Sequence, residues 1–226
     1  MNKFFLSVFT FLMLFIASFV SGEPTLINKI VTISFILIIF ISLYLSRRSE
    51  EDIDLLYGSL CGGIVILAIL GLYISSGLLA YKTDLIDSSY YPIFIFPLFL
   101  IFGIWAGMPY FKNNSLKSII GVATVFGLCV GSLASAHFSV HALNVSFANP
   151  DPKVQEITVL DKIKPIGRGV GTGYKILAQV SRGSIVVKDY YMVHPKTYSS
   201  LEEGGSAFVS TYTGGLGIRY QQVKSK

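Results

Sequence analysis

IIGVATVFGLCVGSLASAHFSVHALNVSFANPDPKVQEITVLDK, residues 119–162, changes character partway along. Residues 119–138, with an uncharged continuation to His141, form an apolar run. A helix needs about 20 such residues to cross a hydrocarbon core ~30 Å thick. Beyond Asn149, charged, β-branched and aromatic residues alternate and glycines are frequent. The charge divides at the same point: residues 1–148 hold seven Lys/Arg and seven Asp/Glu, and residues 149–226 hold eleven and six, so the whole net charge of +5 lies in the tail. The expected organisation is a transmembrane helical domain over 23–148 and an extracytoplasmic β-domain over 149–226, preceded by 1–22.

The composition supports a membrane protein, since 52% of the 226 residues are apolar and 14% charged, against about 25% charged in soluble domains. Two cysteines exclude a disulfide-stapled scaffold and a multi-cysteine metal cluster. Besides 119–138, the runs 30–45, 58–81 and 90–111 are apolar, separated by charged or turn-rich stretches at 47–54, 82–89 and 112–117. Residues 4–20 read either as a first transmembrane helix or as a signal peptide. Lys3 gives a basic start and Val20-Ser21-Gly22 suits cleavage, but 17 apolar residues exceed the usual cleaved core of about 7–15. Both versions place residues 23–29 outside the cytoplasm. Lys3, Arg47, Arg48, Lys112 and Lys117 are then cytoplasmic, whereas only Lys29 and Lys82 lie in short external loops, the bias that fixes orientation. The carboxyl-terminal tail ends outside.

The spans carry no charged residue at mid-membrane, where one would cost about 2.5–3.5 kcal/mol and would mark an ion or proton path. Gly103 and Gly107, and Gly127, Gly131 and Ser135, recur at four-residue spacing, which lets helix backbones approach. They fit either a homo-oligomer face or packing inside one bundle. Cys61 and Cys129 fall at different depths and read as small packing residues. Pro97 and Pro109 kink or end their helix.

Few residues carry the signature of chemistry. His137 and His141 stand one helical turn apart, a spacing at which two imidazoles can share a metal or haem. Phe138 occupies the place of the glutamate in HExxH, and a stable zinc site needs three or four ligands. The competing reading is interfacial anchoring, and no cofactor is expected. His194, beside Pro195, reads as a surface residue. Residues 167–173, GRGVGTG, lack the order of either nucleotide-binding motif and precede an alternating segment, as a hairpin loop does. No nucleophile motif sets a serine beside a base, so no catalytic residue is assigned. Asp84, Asp87 and Asp161 are the only carboxylates a membrane-boundary enzyme would use. Asn113 and Asn144 stand in sequons short enough to arise by chance.

The tail alternates over 155–162, 173–181, 184–193, 206–213 and 216–223, with Arg182-Gly183 and Gly214-Gly215 as tight-turn signals. Residues 195–205 fit one short helical turn ended by glycine. This predicts a small all-β barrel or sandwich beside a bundle of four or five spans. Lys162, Lys164, Arg168, Lys175, Arg182 and Lys188 give it a basic, candidate binding surface. Tyr190, Tyr191, Tyr198, Phe208, Tyr212 and Tyr220 either line a binding face or pack the sheet.

Tyr190-Tyr191 in a strand, then Pro195, Tyr198, Leu201 and Gly204 in the connection, then Gly214, Leu216, Gly217, Ile218 and Tyr220 in the last hairpin form a pattern over the final 65 or so residues. It resembles the tails of bacterial multi-pass inner-membrane proteins that end in a small extracytoplasmic β-domain. The aromatic that such tails place directly after the last glycine-rich turn here follows Arg219. The resemblance implies fold and an inner-membrane location, and no activity. The expected function is therefore non-catalytic. The helices sit in the lipid bilayer and present a basic β-module to an anionic envelope component or a membrane-complex subunit, nucleic acid being excluded by location. The alternatives are a small-molecule or metal-handling protein using His137 and His141, and the boundary enzyme.

Overall fold

The computed structural model describes residues 3–17, 24–48, 55–76, 81–83, 95–112, 119–164, 174–182 and 185–226. Along the chain run α1 (Lys3–Ala17), α2 (Leu26–Arg48), α3 (Leu55–Ser76), β1 (Tyr81–Thr83), α4 (Ile95–Lys112) and α5 (Ile119–Ser146). β2 (Lys153–Ile163), β3 (Tyr174–Arg182), β4 (Ile185–Val193), α6 (Pro195–Ser200), β5 (Ser206–Thr213) and β6 (Arg219–Ser225) follow. Two compact units result: Met1–Ser76 with Pro92–Ser146, and Gly77–Tyr91 with Phe147–Lys226.

The helical unit is built from segments apolar on more than one side. Ile66, Ile101 and Phe126 point outward at 66%, 62% and 69% exposure, which water would not favour and lipid would. Among the described residues, Leu26–Leu45 and Val125–Ser146 are long and apolar enough to cross a membrane, and Phe5–Ala17, Leu60–Ile74 and Ile95–Met108 are shorter apolar helices. Thr25 caps α2, its hydroxyl accepting from Asn28 N at 3.2 Å and so satisfying a donor the first turn leaves open. Inside, fully buried Phe35 lies over Gly71, where an added Cβ would come within 2.2 Å of the ring. Gly103 likewise brings α4 against Ser132 of α5, so this glycine serves packing within the bundle. Thr32 on α2 and Ser146 on α5 share a hydroxyl hydrogen bond of 2.8 Å. Pro97 falls in the first turn of α4, where its missing N–H costs little.

The second unit is one antiparallel sheet in the order β1-β6-β5-β2-β3-β4. β2 is shared: its first half pairs with β5, from Lys153 opposite Thr211 to Thr158 opposite Ser206, and its second with β3, from Ile157 opposite Val180 to Ile163 opposite Lys175. A bulge between Val159 and Asp161 adds the bend that such sharing requires. The sheet curls into a half-barrel, bringing β4 towards β1 and β6. Its core gathers Ile157, Val159, Ile176, Val180, Tyr191, Val193, Val209 and Val223, with Tyr198 and Leu201 from the α6 segment. A three-strand meander, a short helix, then two strands on the far side of the first complete the half-barrel.

Two expectations change. The run 58–81 ends as a helix at Ser76, and Tyr81 opens a strand instead, with Tyr81 opposite Gln222 and Thr83 opposite Tyr220. Three residues are too few for alternation to reveal. The last hairpin is not a two-residue turn at Gly214-Gly215: Thr213 pairs with Arg219, Gly214 N donates to Ile218 O at 3.1 Å, and Gly217 takes φ +81°. Gly215 is a glycine for another reason, since an added Cβ would lie 2.5 Å from Phe147 Cβ.

Candidate functional site

His137 and His141 lie on α5 with ring centroids 4.7 Å apart and planes at 70°. His137 is exposed and also meets Phe138 edge-on at 5.3 Å. Among the described residues no group of three or more His, Cys, Asp or Glu could hold a metal ion. His194 acts locally as the cap of α6, its Nδ1 accepting from Lys196 N at 3.3 Å. Cys61 and Cys129 are free thiols. Asn144 of the nearer sequon is 1% exposed, closed to a modifying enzyme. Asp161 is exposed, its Oδ1 accepting from Lys162 N at 2.7 Å, while Asp84, Asp87, Asn113 and residues 167–173 lie outside the described residues.

The six cations of the tail separate by what surrounds them. Lys162 turns towards α6, where its Nζ donates to the Leu201 carbonyl at 2.6 Å and sits 4.5 Å above the Tyr198 ring. It holds the helical connection against the sheet. Burial first, then the Asp161 carboxylate with Tyr174 and Glu203, raises the Tyr198 phenol above its ordinary 10.0. Lys164 is exposed just past β2; Arg168 and the Arg182 side chain lie outside the described residues.

Lys175 and Lys188 form a different arrangement. Ile176, Ala178 and Val180 on β3, and Tyr191 and Val193 on β4, are buried, so the residues between them face outward by the two-residue period of a strand. On that outer face Lys175 is opposite Met192, Leu177 opposite Tyr190, and Gln179 opposite Lys188. Both lysines are exposed, and Tyr190 is 54% exposed. The other tail tyrosines pack instead. Tyr191, Tyr198, Tyr212 and Tyr220 are buried, with Tyr212 and Tyr220 stacked as a cross-strand pair at 5.0 Å and 7°. Phe208 is half-buried, with Lys226 Nζ 5.9 Å from its ring.

The chain matches no family model, no curated protein and no solved structure. Its fold and surface define a class: an apolar helical unit joined to an antiparallel half-barrel, with one outward sheet face that combines an exposed aromatic ring and two lysines.

Proposed function

We propose that this chain is a non-catalytic, multi-pass protein of a bacterial inner membrane that presents its half-barrel outside the cytoplasm to an envelope component or a membrane-complex partner. The observation that carries the reading is the pairing of β1 with β6. β1 belongs to the connection between α3 and α4, whereas β6 ends the chain. Two strands that share hydrogen bonds stand on one side of any bilayer, so the chain between them crosses an even number of times. α4 and α5 supply that pair: 18 and 28 residues span about 27 and 42 Å at about 1.5 Å per residue. α2 and α3, with 23 and 22 residues, run about 33–35 Å, although among the described residues only α2 and α5 hold an apolar stretch of full bilayer length. The placement of cations favours the outer side for the sheet.

The test uses disulfide chemistry, which proceeds outside the cytoplasm and not within it. With Cys61 and Cys129 replaced by alanine, Tyr81→Cys and Gln222→Cys, which are register partners, are expected to cross-link in intact cells without added oxidant. A bond that appears only after lysis and oxidation would leave the strand pairing standing and remove the external location. No bond under either condition would remove both.

A further inference from the structure

We propose that the outward face of β3 and β4 is a binding track for an anionic polysaccharide chain, with Tyr190 as the platform for a sugar ring and Lys188 and Lys175 as the cations that meet its acidic groups. This assignment rests on the reading of an externally presented half-barrel and names what that half-barrel takes. The first argument is the geometry of the row. Lys188 and Tyr190 are two residues apart on β4, and Lys175 lies opposite Met192, two residues further along. Tyr190 therefore stands midway along the strand between two lysine positions whose backbones are about 13 Å apart in that direction. An extended polymer whose carboxylates or phosphates recur along its length can meet both cations while one ring lies on the tyrosine, which a single phosphate group cannot.

Charge decides between a linear ligand and a broad one. The outward positions of β3 and β4, from Lys175 to Ser181 and from Val186 to Met192 at every second residue, include no carboxylate. On the neighbouring β2, exposed Asp161 lies opposite Leu177, and exposed Glu156 faces the same way further along, held by Lys226 at 3.3 Å. An anionic lipid surface laid across the sheet would meet these acids, whereas a single polyanionic strand running along β3 and β4 avoids them. Lys175 and Lys188 have no carboxylate partner among the described residues. The aromatic body of Tyr190 and the apolar Leu177 opposite it in register supply contact area for a sugar face.

The test uses the full chain in discs of phosphatidylcholine, titrated with an oligogalacturonate and, as the uncharged control, maltoheptaose. Saturable binding of the acidic sugar alone is expected, weakened about tenfold by Tyr190→Ala and at least as much by the pair Lys175→Gln with Lys188→Gln, and weakened by added salt. Tyr190→Phe and Lys164→Gln are expected to bind within about twofold of the parent. All these side chains are exposed, and circular dichroism of each variant checks that the sheet persists. Absent binding, binding untouched by Tyr190→Ala, or equal loss in Lys164→Gln would overturn the assignment. Loss of sugar binding when phosphatidylglycerol replaces part of the lipid, at constant ionic strength, would overturn it in favour of the bilayer as occupant. If the cysteine pair cross-links in cells and the sugar does not bind, only the ligand assignment fails.

Discussion

At the scale of single residues, backbone geometry and burial give the sharpest expectations. Gly217 sits at φ +81° in the last hairpin, a region where a Cβ costs about 1–2 kcal/mol. Gly217→Ala is expected to lower half-barrel stability by about that amount, read as a fall in the denaturation midpoint. Tyr198 gives a pH dependence. Its phenol is raised above 10.0 by burial and nearby acidic groups, so the unfolded chain ionises first as pH rises. The stability this tyrosine contributes is complete below pH 10.0 and is lost as pH climbs through the raised value. Tyr198→Phe, which keeps the ring under Lys162, is expected to unfold less readily than the parent in alkaline denaturation scans. Much of this was legible and some was not. Adjacent tyrosines at 190 and 191 must face opposite ways in a strand, so one exposed ring was implicit in the sequence. The role of Lys162 was not. Plain alternation from Ile157 and Val159 points Asp161 inward and Lys162 outward, and the bulge at Leu160 reverses both.

Among elements, the apolar runs located the helices because a long run without charge leaves few alternatives; α2 to α5 overlap 30–45, 58–81, 90–111 and 119–138 and differ from them at the ends. The five strands of the tail were also legible, since each is long enough to show a two-residue period. β1 was hidden for the opposite reason. It has three residues, and its partner β6 begins at Arg219, so nothing local marks it. Replacing 81–83 by three glycines should retain the half-barrel and weaken its edge. The expected result is faster amide exchange at Tyr220, Gln221 and Gln222, the register partners of β1, with little change at Ala178 and Val180 in the interior pair.

For the whole molecule, division into two compact units predicts that unfolding is not a single transition. Gly71→Ala tests this, because the new methyl would meet Phe35 inside the helical unit. The substitution is expected to destabilise that unit by about 1–3 kcal/mol, the range for overpacked cores. The helical transition should move and the half-barrel transition should stay, as followed by circular dichroism and tyrosine fluorescence during detergent-solubilised denaturation.

The strand at Tyr81–Thr83 also imposes an order on synthesis. Its partner, beginning at Arg219, is made only after every residue from 84 to 218, an interval of about 7–30 s at about 5–20 residues per second. In the proposed topology the early segment stands across the bilayer throughout that interval with its edge unclaimed. A chain cut short by a premature stop keeps it so. The unsatisfied strand is then a tag that distinguishes incomplete molecules from finished ones, and envelope chaperones or proteases that seize open sheet edges would remove the former first.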